Sequence, residues 1–207
     1  MQNEEKKLDV VFILDKSGSM SGSEESTIHS FNEYLEKERK NKFQTKITTI
    51  LFSNTYSFLH ESEEVSKVAE LTEEDYIVGG CTALYDSIGE AIHYMERKKS
   101  DQVLFIIITD GEENSSREYS KNDIRNLIKK HKEWEFIYIG ADIDSYANGC
   151  DIGIRKDNIA NFKKDKKGFS KLFRAVGEYE CAMMCEEAAS KTNWKEDLEN
   201  YLDENKN

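Results

Sequence analysis

An uninterrupted run of apolar residues in mid-chain is the feature that most constrains the fold. The segment "QVLFIIITD" is apolar from Val103 to Ile108 and stops at Asp110, as expected for a strand buried on both faces of a sheet. An earlier run, "VVFIL", likewise stops at Asp15, and amphipathic helical segments alternate with such runs. The segments "TKITTILFS" and "TYSFLH" are typical of a hairpin. The pattern predicts an α/β domain with a doubly wound, mostly parallel central sheet, one antiparallel edge strand and helices on both faces.

The length and composition fit one folded domain with a heavily charged surface. The chain has 207 residues, of which 38% are hydrophobic and 34% charged, and a single core commonly serves chains of this size. Its net charge of −12 repels phosphate backbones and anionic membranes, so neither nucleic acid nor a membrane is an expected partner. The basic segment "KKDKKGFSK" (163–171) is interpreted as a solvated helix face.

The termini and the cysteines point to the cytoplasm. The N-terminal segment "MQNEEKKLDV" carries charges of both signs, and the apolar run after it is too short for a signal peptide. No stretch approaches the roughly 20 apolar residues that span a bilayer. Cys181 and Cys185 share a predicted helix face and could ligate a soft metal, but a reduced structural pair is favoured because no histidine stands near them in the sequence. We therefore expect a soluble, cytoplasmic protein.

Oxygen-bearing side chains occur in three segments that the predicted fold brings to one edge of the sheet. Asp15 and Asp110 each end a core strand, and ligands bind such sheets at the carboxyl ends of the strands. Ser17 and Ser19 alternate with Asp15 in D-x-S-x-S, and Thr82 follows a glycine pair at the start of a helix. Oxygen ligands without sulfur or imidazole suit a hard cation such as Mg²⁺, Mn²⁺ or Ca²⁺.

Each of these segments also has a simpler interpretation when taken alone. "DKSGSM" could be a serine-rich turn in which Asp15 caps the next helix, and "TDG" could be a turn that ends a strand. The three segments together, in this order along the chain, favour a metal site.

The three segments resemble those of a known protein family. "DKSGSM", "GGCTALYDSIG" and "IITDGEEN" are similar to the three parts of the metal-ion-dependent adhesion site (MIDAS) of von Willebrand factor type A (vWA) domains, which have a Rossmann-like fold. The later part of the chain resembles small stand-alone bacterial and phage members. The resemblance implies an N-terminal tail at 1–7, a vWA domain at 8–190 and an acidic C-terminal helix or tail at 191–207.

The resemblance also implies a role for each candidate ligand. Ser17 and Ser19 would coordinate the cation directly through their hydroxyl groups. Thr82 would bind it directly or through water, depending on the conformational state. Asp15 and Asp110 would act directly or through bridging waters. All five residues match the family pattern.

The function that the resemblance implies is binding rather than catalysis. In vWA domains the cation commonly captures an Asp or Glu of a partner protein, and many bacterial relatives work within multi-protein complexes. The alternative is a metal-dependent hydrolase or phosphatase on a Rossmann-like fold. Such phosphatases have D-x-D after the first strand, where this chain has Ser17 at the second position, and no G-x-S-x-G motif is present. A metal-free interaction domain is a third possibility. We expect no enzymatic activity.

Two acidic neighbours of the candidate ligands have open interpretations. Asp86 lies one helical turn after Thr82 and is either a hydrogen-bonding partner of the metal-site loops or a capping or surface residue. Glu112 follows Asp110 closely and is expected to be solvated at the rim of the site.

Overall fold

The computed structural model describes residues 7–41, 43–100, 102–185 and 193–205. In that part of the chain, the strands are β1 (Lys7–Asp15), β2 (Gln44–Phe52), β3 (Tyr56–Glu64), β4 (Val103–Thr109), β5 (Glu135–Gly140) and β6 (Ile159–Asn161). The helices are α1 (Glu24–Glu38), α2 (Leu84–Lys98), α3 (Lys121–Lys130), α4 (Ser145–Asp151), α5 (Lys166–Met184) and α6 (Glu196–Glu204).

The strands form one six-stranded sheet in the order β3-β2-β1-β4-β5-β6. Every neighbouring pair is parallel except β2 and β3, which form the antiparallel hairpin at one edge. The predicted doubly wound, mostly parallel sheet with one antiparallel edge strand is therefore confirmed. The sequence of the polar segment "ESEEVSKVAELTEEDY" (61–76) has weak helical character, but the structure contains no helix there. The first four residues of the segment extend β3, and turns follow.

Side chains of β1 alternate between two layers of helices. Val10 and Phe12 lie in the same hydrophobic cluster as α1 and α5, whereas Val11 and Ile13 lie in the cluster that contains α2 and α3. Because successive residues of a strand point to opposite faces, a continuous apolar run requires cover on both sides. The helices on both faces confirm that expectation. No helix among the described residues is long and apolar enough to cross a membrane.

The strand order reverses between β1 and β4. The chain passes from β1 to β2 on one side and later enters β4 on the other side of β1. The two carboxyl ends are level, since Leu14 pairs with Ile108. The connections after β1 and β4 therefore diverge and leave a crevice at this edge of the sheet. Asp15 and Asp110 both lie there, as the sequence predicted.

The last described segment packs on the α5 side of the sheet. Trp194 and Leu198 are buried there, and the Trp194 ring meets that of Tyr179 edge-on at 5.5 Å between centroids. Residues 1–6 of the predicted N-terminal tail lie outside the described residues. The predicted boundary near residue 190 also lies outside them.

Candidate metal centre

The loop after β1 holds three of the candidate ligands in one tight turn. Asp15 is completely buried, and its Oδ1 accepts a hydrogen bond from the Ser17 backbone N–H at 2.6 Å. The Ser17 and Ser19 hydroxyl oxygens are 3.0 Å apart. A short 3₁₀ turn, Gly18–Met20, ends in the buried Met20 side chain, which anchors the loop to the core. The alternating D-x-S-x-S pattern thus brings both hydroxyls to one side.

The segment after β4 supplies the second carboxylate and links it to the first loop. Asp110 Oδ1 accepts a hydrogen bond from the Ser19 hydroxyl at 2.5 Å. The Thr109 hydroxyl donates to Asp15 Oδ2 at 2.6 Å. The Ser19 and Thr109 hydroxyls therefore join the loop after β1 to the end of β4.

Thr82 reaches the same place from the start of α2. Thr82 is buried, and its backbone N–H donates to Asn114 Oδ1 at 2.9 Å, while the Asn114 N–H donates to the Thr82 carbonyl at 3.1 Å. A Cβ atom added at Gly111 would lie 2.7 Å from Thr82 Oγ1 and 3.3 Å from Ser19 Oγ. Both hydroxyls therefore lie close to Gly111, and a side chain at residue 111 would clash with Thr82.

A glycine also fixes the loop that carries Thr82. Gly80 has φ of +86°, a conformation that disfavours other residues. A Cβ at this position would lie 2.7 Å from Asn54 Oδ1, which itself accepts the Cys81 N–H at 2.5 Å. The Gly80 carbonyl accepts the Gly18 N–H at 2.9 Å. The Thr82 loop is thereby held between the β2–β3 turn and the loop after β1.

Burial and hydrogen bonding act in opposite directions on the ionisation of Asp15. Burial raises the pKa of Asp15, and the charge of Asp110 raises it further, whereas hydrogen bonds from Thr109 and Ser17 lower it. Burial also raises the pKa of Tyr76, as does the nearby Asp15 charge. The Tyr76 phenol therefore stays neutral and donates to the Asp15 carbonyl. A bound cation would favour the ionised form of Asp15.

The donor set fits a hard cation. The converging atoms are carboxylate and hydroxyl oxygens, which Mg²⁺, Mn²⁺ and Ca²⁺ prefer to nitrogen or sulfur. Within the ranges that the structure describes, no group of three or more His, Cys, Asp or Glu side chains is placed to hold a metal ion. A metal at this edge would therefore depend on the hydroxyl groups of Ser17, Ser19 and Thr82.

The structure adds one basic residue that the sequence interpretation missed. Lys164 Nζ lies 2.7 Å from Asp110 Oδ2 and 2.8 Å from the Ser19 carbonyl oxygen. The interpretation of 163–171 as a solvated face is therefore wrong for this residue, whose side chain is 24% exposed. The missed signal was its position directly before Asp165, the residue that caps α5.

The two acidic neighbours differ from each other. Asp86 accepts backbone N–H bonds from Arg117, Glu118 and Tyr119 at 2.8–3.0 Å, so it ties α2 to the connection that follows Asp110. Glu112 is exposed, as expected. The site is thus supported by residues that the motifs alone do not identify.

Solved structures similar to this chain carry the same fold. Proximal thread matrix protein 1 from the mussel byssus, with a zinc-occupied MIDAS motif, has a TM-score of 0.63 and 16% identity over 86% of this chain and 46% of its own. VWA2, an ArnB paralog from Sulfolobus acidocaldarius, has a TM-score of 0.58 and 21% identity over 81% of this chain and 44% of its own. The chain thus spans about half the length of these proteins. A search of curated proteins finds no match.

A family model provides the assignment that these distant structures do not. The model described as VWA domain containing CoxE-like protein matches residues 1–132. That match includes the loops after β1 and β4 and the start of α2, and it covers more than half of the chain. The protein therefore belongs to the family of VWA domain containing CoxE-like proteins.

Proposed function

We propose that this protein is a metal-dependent protein-interaction module. Asp15, Ser17, Ser19, Thr82 and Asp110 would hold Mg²⁺, or else Mn²⁺ or Ca²⁺, at the carboxyl edge of the sheet, where a partner protein would present an Asp or Glu. The observation that carries the proposal is the convergence of the Ser19 and Thr82 hydroxyls beside Gly111, with Asp110 bonded to Ser19.

The chemistry of this donor set favours capture of an anion. When bound, the cation supplies a strong, directional attraction for a carboxylate, because neutral hydroxyl ligands leave much of its charge uncompensated. Such an attraction also offsets the repulsion that a chain of net charge −12 exerts on an acidic partner. Hydrogen bonds of Thr109, Asn54 and Asn114 hold the ligand loops in place, so that partner binding needs little rearrangement of these loops.

An exposed apolar side chain beside the site supports protein binding. Ile77 is 70% exposed and is the exposed large hydrophobic residue of the described chain. It follows Tyr76, which bonds to the Asp15 carbonyl, and precedes Gly79, whose N–H donates to the Lys16 carbonyl at 2.9 Å. Its backbone is therefore tied to the loop after β1 from both sides. A fixed apolar residue at this edge suits a protein surface.

Family membership supports the same function. vWA domains act mainly as protein-interaction modules, and the mussel protein has a zinc-occupied MIDAS. We also propose that this chain works in the cytoplasm within a multi-protein complex.

Metal-dependent hydrolysis is the alternative function and has less support. A hydrolase of this kind needs a general acid or base near the metal, and histidine is the commonest. His60 bonds to Thr49 inside the β2–β3 hairpin. His93 and His131 both contact Glu96 near the end of α2. A phosphatase assay with p-nitrophenyl phosphate and Mg²⁺ tests the alternative. We expect no turnover above the metal-only control.

Metal titration of two serine variants tests the proposed function. Ser19 is exposed and contacts Asp110, whereas Ser21 is exposed in the same loop. We expect the parent and Ser21→Ala to bind Mn²⁺ and Mg²⁺ in calorimetry and Ser19→Ala to lose most of that affinity, with all three proteins folded by circular dichroism. A parent without divalent-ion binding would refute the proposal. If the parent binds metal, pull-downs run with Mg²⁺ and with EDTA identify its metal-dependent partners.

A further inference from the structure

Lys164 brings a positive charge into the candidate metal centre. Its ammonium donates to Asp110 Oδ2 and to the Ser19 carbonyl, so it bridges the loops after β1 and β4. The Asp110 side chain is only 1% exposed, and three quarters of the Lys164 side chain is covered. An ion pair placed in this way differs from a solvated surface pair, which contributes little.

The backbone on both sides of Lys164 is fixed. Before it, the Phe162 N–H donates to the Gly140 carbonyl at 3.0 Å, and the buried Phe162 ring meets Phe169 edge-on. After it, Asp165 Oδ1 accepts the Gly168 N–H at 2.8 Å and caps α5. The lysine is therefore directed at Asp110 by an anchored connection between β6 and α5.

Close packing restricts this connection further. A Cβ atom at Gly168 would lie 1.8 Å from the Lys163 carbonyl oxygen, so the turn requires glycine there. The Tyr201 hydroxyl of α6 also donates to Asp165 Oδ2 at 3.0 Å. The position of Lys164 is thus built by α5, α6 and β6 together.

We propose that Lys164 is a positioning residue that lowers the affinity of the site for a divalent cation and raises the affinity of the metal-loaded site for the carboxylate of a partner. This inference rests on the proposed function. The Lys164 ammonium donates a hydrogen bond to Asp110 Oδ2 and neutralises part of the carboxylate charge. Lys164 therefore weakens the hold of the site on a divalent cation. For the same reason it leaves more uncompensated positive charge to attract the carboxylate of a partner.

A purely structural role makes a different prediction. If Lys164 only joined the two loops, its loss would loosen the ligands, and the affinities for metal and for carboxylate would fall together. The proposed role predicts changes of opposite sign. The sign of the two changes therefore separates the interpretations.

The test uses the full chain with Lys164→Gln, and with Lys163→Gln as the matched control. Lys163 Nζ contacts the Asn205 carbonyl at 3.3 Å and Asp165 at 3.8 Å, so its replacement removes the same charge without touching Asp110. Lys164→Arg keeps the charge and should behave like the parent. Calorimetry gives the Mn²⁺ affinity, and water proton relaxation of the Mn²⁺-loaded protein gives its affinity for acetate.

We expect Lys164→Gln to bind Mn²⁺ about fivefold more tightly and acetate about fivefold more weakly than Lys163→Gln, because the charge is lost within a few ångströms of the metal ligands. Equal affinities in the two variants, or a fall in both, would overturn the inference alone. A parent that binds no Mn²⁺ would overturn the proposed function and this inference with it. Should Lys164→Gln unfold, Lys164→Met, which keeps the aliphatic stem, serves for the same measurements.

Discussion

Two pairs of buried acidic side chains lie at opposite ends of the sheet, and they are built differently. Asp15 and Asp110 lie at the carboxyl ends of β1 and β4. Glu38 and Glu180 lie between α1 and α5 near the start of β2, where the Thr45 hydroxyl donates to Glu180 at 3.2 Å. All four are largely buried. Burial alone therefore does not decide what such a pair does.

The difference lies in the hydrogen-bond donors around each pair. The aspartates accept bonds from a backbone N–H, two hydroxyls and an ammonium. At the other end the donors are neutral side chains: Glu180 accepts bonds from the Tyr34 and Thr45 hydroxyls, and Glu38 accepts bonds from the Asn41 amide. The two carboxyl groups also contact each other. Burial and then the Glu38 charge raise the pKa of Glu180 well above its ordinary value. Hydrogen bonds from Thr109 and Ser17 partly offset the burial that raises the pKa of Asp15, whereas at the glutamate end burial and the Glu38 charge favour the protonated form of Glu180. The proposed cation would therefore lie at the aspartate end.

The largest expected effect tests the glutamate end. Because the pKa of Glu180 is raised in the folded protein, the protonated Glu180 contributes stability to the parent below the ordinary glutamate pKa of 4.5. The parent loses that stability as the pH rises. Glu180→Gln keeps a neutral side chain and avoids this loss. We expect its free energy of unfolding to exceed that of the parent by an amount that grows above pH 4.5 by at most about 1.4 kcal/mol per pH unit. Urea unfolding between pH 4.5 and 8 measures the difference.

The control for that experiment is Glu178→Gln on the same helix, since Glu178 is exposed and pairs with Arg174. This variant should follow the pH dependence of the parent. A constant difference between Glu180→Gln and the parent across the pH range would show that Glu180 is ionised. The contrast between the two ends of the sheet would then fail.

The second effect tests the aspartate end. Asp15→Asn keeps an oxygen for the Ser17 N–H and places an amide donor beside Thr109, whose hydroxyl can turn to the Gly111 carbonyl at 3.1 Å. Alanine would leave both partners unsatisfied. We expect Asn to lower Mn²⁺ affinity at least about 100-fold, beyond the usual effect of a supporting residue. The metal-free variant should be as stable as the parent or slightly more so, because a buried charge is removed. Retained Mn²⁺ binding would exclude Asp15 from the site.

The third effect concerns a supporting hydroxyl. Thr109→Val removes the donor to Asp15 Oδ2. We expect about a tenfold loss of Mn²⁺ affinity and about 1 kcal/mol of stability. Thr48→Val is the matched control, since the buried Thr48 hydroxyl accepts the Ser62 N–H far along the sheet. It should cost stability but no metal affinity. Equal metal affinity in the two variants would contradict the role of Thr109.

The contrast between the two ends also shows what the sequence could and could not predict. Asp15, Ser17, Ser19 and Asp110 follow directly after apolar strands, so periodicity and the chirality of α/β connections place them at one edge. Glu180 and Lys164 gave no such signal. Glu180 lies within an amphipathic helix and Lys164 within a basic run. Their roles depend on where α5 packs, which no local pattern records.

Supporting residues were missed for a related reason. Asn114 and Asn54 orient the Thr82 loop through backbone hydrogen bonds, yet each stands in a polar segment typical of any turn. The error at 61–76 has a similar cause. Residues 61–64 continue β3 beyond an irregularity in its register with β2 and a positive φ at Ser62. The burial of β3 does not alternate regularly, so the sequence carries no strand pattern there. Contacts between distant loops therefore account for most of what the sequence left open.

The smallest expected effect tests whether the aspartate end uses oxygen ligands alone. Cys81 is exposed and adjoins Thr82, so its thiol is the sulfur ligand closest in sequence to a candidate ligand. Its backbone N–H is held by Asn54, and serine can keep that bond. We expect Cys81→Ser to change Mn²⁺ affinity by less than about twofold, because a thiol is a poor ligand for a hard cation. Zn²⁺ is the sharper probe, since it accepts sulfur as well as oxygen. Unchanged Zn²⁺ affinity in Cys81→Ser would support an all-oxygen site, whereas a loss for Zn²⁺ alone would mean that the Thr82 loop can turn its thiol toward the metal, and the aspartate end would then be less rigid than its hydrogen bonds indicate.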